Sequence, residues 1–208
     1  MKKDKCMISY EKFIKKFANT VRNRKILDLG CGNGNYTVIF SKNNNRVIGA
    51  DVNDFRHKKY SKKFDFVKYD GERLPFKYDS FDLVVSFDVI EHVEDDVNYL
   101  KEIKRVLKKN GMVFLATPNR NRLSNCLLKL VGREVKYPLV LSEDGRLGAV
   151  IHIREYTKKE LKKLLQSVGF GQIRVQSFWF GLRGRVNIGV ERPLIKGASQ
   201  YLFATAKK

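Results

Sequence analysis

Residues Ile26–Thr37 read ILDLGCGNGNYT, an apolar run that gives way to three glycines at alternate positions. Ile26 to Leu29 has the composition of a buried strand. Gly30, Gly32 and Gly34 then require a tight loop in which backbone can come close to a ligand. Apolar residues resume at helical spacing from Tyr36 to Phe40, so the loop delivers the chain onto a helix N-terminus. A strand, a glycine turn and a helix in this order make a nucleotide-cofactor site; a glycine turn without a ligand is the plain alternative. A dinucleotide fingerprint, G-x-G-x-x-G, would need glycine at position 35, where Asn35 stands. Asp28, ahead of the first glycine, argues the same way. A carboxylate at the strand end repels pyrophosphate but can meet the ammonium of an amino acid moiety, directly or through water.

The segment DLGCGNG, Asp28–Gly34, is similar to the first motif of class I S-adenosylmethionine-dependent methyltransferases (methyltransferase type 11), with a motif texture closest to the ubiquinone and menaquinone type. The resemblance covers residues 25–119, with motifs in the right order, and the C-terminal part more loosely. It implies a Rossmann-like α/β fold: a seven-stranded mixed sheet of order 3-2-1-4-5-7-6 with helices on both faces. It also implies S-adenosyl-L-methionine as cofactor, held by Asp28, Gly30, Cys31, Gly32 and Gly34 and by residues further on.

Arg46–Asp51 (RVIGAD) reads as a second buried strand ending in an acid, 23 residues beyond Asp28. A carboxylate near this spacing receives the ribose hydroxyls of a nucleotide; a helix N-cap is the alternative. Val52 follows as a cofactor-side neighbour. After a third strand, Phe64–Tyr69, the resemblance places Asp70 and Gly71 at the adenine amino group, with Leu74 and Phe76 either walling the base or plugging the loop into the core. A fourth strand, Ser80–Phe87, runs straight into Asp88-Val89-Ile90-Glu91-His92-Val93. Strands 1 and 4 flank the topological switch point of a doubly wound sheet, so their ends converge on one crevice. By position in the family, Phe87 and Asp88 line the methionine moiety, and Glu91-His92-Val93 resembles a signature frequent in small-molecule members.

The candidate general bases are His92 and His152. The latter, in HIREYT, sits where related methyltransferases often return a polar residue to the active site. Packing or helix capping is the alternative for each. Thr117-Pro118-Asn119 closes a fifth strand, Met112–Ala116, at the same sheet edge, either as a turn or as a substrate contact.

Elsewhere the pattern predicts an amphipathic leading helix, Tyr10–Val21, that covers the cofactor end, and a short polar helix, Asn53–Lys63. It also predicts helices over Tyr99–Leu107, with a C-cap at Lys108–Gly111, and over Thr157–Val168. Strands are expected at Ile173–Phe180 and Gln200–Ala206. Between them lies a basic connection (Arg183, Arg185, Arg192, Lys196), a second candidate for acceptor contacts. Residues 120–155 break the alternation. Their leucines and basic residues read as a cap, or as a membrane-surface contact through residues 120–141, on a single methyltransferase domain spanning 1–208.

The formal net charge is +20. Residues 26–119 carry 15 basic and 14 acidic side chains, whereas residues 1–25 carry 9 and 2 and residues 120–208 carry 18 and 6. The cofactor half is nearly neutral and the flanks are basic, which suits an anionic partner or a solvated lysine surface. Cys6, Cys31 and Cys126 form no C-x-x-C or Cys/His cluster, so neither a disulfide framework nor a metal site is expected. No long apolar run or leader is visible, which points to a cytoplasmic protein, in peripheral contact with a membrane if the 120–141 segment docks there.

The reaction the resemblance implies is direct in-line methyl transfer. Phe87-Asp88-Val89-Ile90 stands where amino-group methylation of bases requires an Asn/Asp-Pro-Pro-aromatic motif, and no cysteine pair suits attack on pyrimidine C5. A small-molecule or lipid-linked acceptor is therefore favoured. An RNA methyltransferase using the basic flanks and a non-catalytic S-adenosylmethionine-binding module are the alternatives.

Overall fold

The computed structural model describes residues 5–144, 148–178 and 199–208. Strands β1 (Lys25–Leu29), β2 (Arg46–Asp51), β3 (Asp65–Lys68), β4 (Phe81–Phe87) and β5 (Leu107–Pro118) are parallel. Their near-continuous Val, Ile, Leu and Phe content is what a strand covered on both faces needs. Strands β8 (Gly171–Phe178) and β9 (Tyr201–Lys207) complete the sheet as an antiparallel pair. The strand order is β3-β2-β1-β4-β5-β9-β8, as the sequence resemblance implies. Strand β9, last in chain order, lies inside the sheet between β5 and β8.

Each face of the sheet buries its own layer. On one side helix α1 (Lys5–Ala18) lays Tyr10, Ile14 and Ala18 against Phe87, Phe114 and Phe203. On the other, α3 (Asp96–Val106) and α5 (Lys158–Ser167) pack Leu100, Ile103, Leu161 and Leu165 against Leu27, Val84, Leu115 and Leu202. Side chains alternate between the layers along β4: Leu83, Val85 and Phe87 face α1, while Val84 faces α3. Both helices start on defined caps. Asp95 accepts from the Asn98 N–H, and Thr157 and Glu160 form a capping box.

Helix α2 (Thr37–Phe40) is a single turn, within the Tyr36–Phe40 stretch whose spacing indicated it. Two segments depart from expectation. Of the polar helix expected over Asn53–Lys63, only a 3-10 turn at Lys58–Tyr60 forms. That stretch has no apolar face to bury; instead the Arg56 guanidinium holds Asp54 at 2.8 Å and the Ser61 carbonyl at 2.9 Å. Lys108–Gly111 does not cap α3 in a separate turn. It is absorbed into β5 as an irregularity in pairing with β4, with Asn110 at φ +64°.

The stretch between β5 and α5 forms helix α4 (Leu123–Leu130) and a hairpin, β6 (Leu139–Asp144) with β7 (Gly148–His152), in a sheet of its own. Among the described residues no helix is long and apolar enough to cross a membrane.

Candidate functional site

The glycine loop folds over the end of β2. The N–H groups of Gly30 and Cys31 both donate to the Ala50 carbonyl, at 2.8 and 3.2 Å. Gly30 has φ +76°, and a Cβ there would lie 2.3 Å from Val89 Cγ2. The position therefore excludes a side chain both by conformation and by its contact with the loop after β4. Gly34, at φ +83°, is closed by the Phe64 ring at 2.9 Å. Gly32, at φ +49°, is different: a Cβ there would meet nothing within 4 Å. Its N–H donates to Asp51 Oδ2 at 2.8 Å, while Asp51 Oδ1 accepts from the Val52 N–H, also at 2.8 Å. Asp51 is thus held at the mouth of the loop, its carboxyl raised by burial against the lowering effect of these amide donors.

Asp28 lies deeper, 2% exposed, where Thr37 Oγ1 donates to its Oδ2 at 2.6 Å. Burial pushes this carboxyl up to about 7, the Thr37 hydrogen bond opposing and Asp51 adding to the rise. The buried Cys31 thiol is raised, first by burial and then by Asp28 and Asp51, which opposes thiolate formation. The loops after β2 and β3 meet: a Cβ on Gly71 would sit 3.6 Å from Val52 Cγ1. Asp70, exposed beside Gly71, uses Oδ1 to receive the N–H groups of Glu72 and Arg73 at 2.9 Å each. Those donors hold its carboxyl below the usual carboxylate range.

Phe87 stands in the aromatic layer, its ring 5.5 Å from Tyr36 and 5.4 Å from Phe114. Next to it Asp88, at φ +56°, accepts from the Tyr10 hydroxyl at 3.1 Å. Tyr10 brings α1 to this end of the sheet. Nothing in its helical stripe distinguished it from the other apolar positions.

A second cluster lies beyond Asp88. Ile90–His92 makes one 3-10 turn, and the Ile153 N–H donates to the Glu91 carbonyl at 2.9 Å, so the end of the hairpin is tied to this turn. Glu91 is completely buried; Thr117 Oγ1 donates to its Oε2 at 2.9 Å, and its Oε1 has no hydrogen-bond partner among the described residues. Burial first, then the charge of Asp88, raises the Glu91 carboxyl well above its ordinary value. His92 Nδ1 pairs with the Ile151 carbonyl at 2.7 Å, which fixes the proton on Nδ1 and leaves Nε2 as a lone pair, 4.0 Å from Glu91 Oε1. Burial lowers the His92 imidazole.

His152 Nδ1 pairs with Glu155 Oε1 at 2.9 Å, and Arg122 holds the other oxygen of Glu155. Burial would raise Glu155, but His152 and Arg122 outweigh it and bring the carboxyl down to about 2. The two imidazoles meet edge to face, with ring centroids 5.0 Å apart. Both candidate bases therefore occupy one place, although 60 residues separate them. Glu91, His92 and His152 each bring one metal-ligating atom within 4.8 Å of the others, a grouping that sequence spacing did not predict. Thr117 is an inner support rather than a turn residue, and the roles of Glu155 and Arg122 gave no signal in the sequence. The basic connection with Arg183, Arg185, Arg192 and Lys196 lies outside the described residues.

A seven-stranded sheet with this order, and a glycine loop and an acid at the ends of β1 and β2, defines a nucleotide-cofactor α/β fold of the methyltransferase kind. Residues 27–115 match the family of methyltransferase domains. A ubiquinone biosynthesis O-methyltransferase of Pelagibacter ubique is 34% identical over 121 residues, 55% of this chain and 50% of the relative. A probable S-adenosylmethionine-dependent methyltransferase of Mycolicibacterium smegmatis is 30% identical over 164 residues, 77% of this chain and 57% of the relative. The chain thus spans about half the length of these curated relatives. The crystal structure of an S-adenosylmethionine-dependent methyltransferase from Archaeoglobus fulgidus superposes with a TM-score of 0.67 at 19% identity, covering 96% of this chain and 93% of the other. Over residues 27–115 the chain is thus similar to S-adenosylmethionine-dependent methyltransferases in sequence, and it shares their fold.

Proposed function

We propose that this protein transfers a methyl group from S-adenosyl-L-methionine to a small-molecule or lipid-linked acceptor, as one methyltransferase domain capped by residues 120–155. The observation that carries the reading is the contact of Gly30 with Val89. It sets the glycine loop and the Asp88–His92 turn side by side.

The residues present fit the cofactor. The open space at Gly32 admits a ligand against backbone, and Asp51 at its edge suits a ribose diol. Val52 and Gly71 flank the position of the base, with Asp70 for the adenine amino group. Asp88 supplies negative charge and Asp28 a buried carboxyl toward a cationic amino acid moiety, and Phe87 supports Asp88 from the aromatic layer. When bound, the cofactor supplies an electrophilic methyl whose leaving group is a neutral thioether. The protein therefore has little acid catalysis to do; it aligns the reactants and excludes water. Where the acceptor is a hydroxyl or a protonated nitrogen, His92 or His152 removes the proton through Nε2.

The acceptor side adjoins α4 and its C-cap, where Leu127, Leu130 and Val131 are 53, 82 and 70% exposed beside Lys129 and Arg133. Apolar residues ringed by cations suit an anionic membrane surface, from which a lipid-linked acceptor could enter. Calorimetric titration with S-adenosyl-L-methionine, and separately with a reduced nicotinamide dinucleotide, tests the core of the reading. Binding of the first alone is expected; binding of neither overturns it. An acceptor screen over phenols, lipid extracts and total RNA then separates the small-molecule reading from RNA methylation.

A further inference from the structure

Beyond the cofactor crevice, one cluster has the makings of an ion site. We propose that Glu91, His92 and His152 bind a divalent first-row transition cation, through Oε1 of the carboxylate and Nε2 of each imidazole.

Three independent features of the geometry point there. The first is proximity: the three donor atoms lie within 4.8 Å of one another, brought together from a turn after β4 and the end of β7. An ion about 2.1 Å from each donor sets neighbouring donors about 3.0–3.4 Å apart at octahedral or tetrahedral angles, so the widest pair closes by roughly 1.5 Å, which rotation of the side chains supplies. The second is the orientation of the imidazoles. Each spends its Nδ1 on a protein oxygen, His92 on the Ile151 carbonyl and His152 on Glu155, which leaves Nε2 as the atom to ligate; that of His92 lies 4.0 Å from Glu91 Oε1. An outer hydrogen bond of this kind fixes ring and tautomer in histidine metal ligands. The third is Glu91 Oε1, an inner oxygen of a fully buried side chain with no hydrogen-bond partner among the described residues. A buried acceptor without a partner costs free energy that a cation would recover.

Two imidazoles and one carboxylate favour Zn²⁺, Mn²⁺, Fe²⁺ or Co²⁺ over Mg²⁺ or Ca²⁺, which prefer all-oxygen shells. Three protein donors also leave coordination positions open, as in catalytic rather than structural sites. On the methyl-transfer reading, on which this step alone rests, the open position takes an acceptor hydroxyl, and the ion replaces the imidazole base, whose Nε2 lone pair it occupies. The ion lowers its pKa, its proton passes to water, and the oxygen keeps the electron pair with which it attacks the methyl carbon.

The test uses untagged full-length protein stripped with chelator and titrated calorimetrically with MnCl₂ and ZnCl₂, with Co²⁺ absorption as a second readout. One equivalent is expected, weakened at least tenfold in both His152→Ala and Glu91→Gln. Absence of stoichiometric binding, or binding retained in His152→Ala, overturns the proposal. Should Glu91→Gln fail to fold, His92→Gln takes its place. S-adenosyl-L-methionine titrated into the same variants reports the cofactor site separately. Cofactor binding without metal binding defeats only the ion site, and metal binding without cofactor binding defeats only the methyl-transfer reading.

Discussion

The two sides of the crevice are built on different principles. The cofactor side is local: Asp28, the glycines and Thr37 lie within ten residues, and backbone N–H groups do much of the holding, as at Gly32 and Asp51. The proposed acceptor side is assembled from afar, with Glu91 and His92 on one turn, Thr117 near the end of β5, His152 at the end of β7 and Glu155 just past it. A local site tolerates change outside its own loop. A dispersed one depends on every segment that delivers a residue to it.

Substitutions can break this contrast or sharpen it, beginning with the largest effect. Asp28 is buried with its carboxyl raised to about 7 from 3.8. The folded state therefore favours its protonated form: its contribution to stability is complete below pH 3.8 and is lost as pH rises through 7. Three pKa units correspond to about 4 kcal/mol at most. Asp28→Asn should remove that slope, seen as a difference between the two proteins in urea unfolding at pH 4, 5.5 and 7. Parallel slopes would show that Asp28 is already ionised in the fold.

Asp51→Ala removes the acceptor for two backbone N–H groups together with the proposed ribose contact. Cofactor affinity should fall roughly a hundredfold, about 3 kcal/mol, measured by calorimetry. An unchanged affinity would refute the ribose assignment. Gly30→Ala forces a methyl group against Val89 at a left-handed φ and should destabilise the fold by about 2 kcal/mol in thermal or urea unfolding. At the far side, Leu130→Asp on the exposed face of α4 should change stability by less than about 0.5 kcal/mol. It should nevertheless weaken flotation with anionic vesicles. Equal flotation of the wild type and the variant would remove α4 from the membrane reading.

The same contrast explains what could be read from the sequence. The strand order and the glycine loop were legible because parallel buried strands and φ-positive glycines impose local composition. The positive φ of Gly30 and Gly34 belongs to that short segment, whereas Val89 and Phe64, which close on them, come from elsewhere in the chain. Asp51 was legible from a spacing set by the length of one strand-helix-strand unit. The meeting of His92 with His152 was not, because it depends on the chain after the hairpin tying back to the Glu91 carbonyl through the Ile153 and Arg154 N–H groups. The polar helix expected at Asn53–Lys63 failed for a different reason. Arg56 satisfies that loop with side-chain bonds, which no periodicity records.

Strand β9 carries a consequence for how the molecule is made. It pairs with β5 from Met112 to Pro118 and with β8 from Gly171 to Phe178, yet the ribosome delivers it after both. While translation proceeds, one edge of β5 and one edge of β8 must wait, each an open row of amides and carbonyls able to recruit another chain. The Lys208 ammonium then fastens the completed strand to the Leu107 carbonyl at 2.6 Å and to Asp79 at 2.8 Å. Closure of the sheet is therefore a late event in the life of the nascent chain, and the interval before it is when a chaperone would matter most.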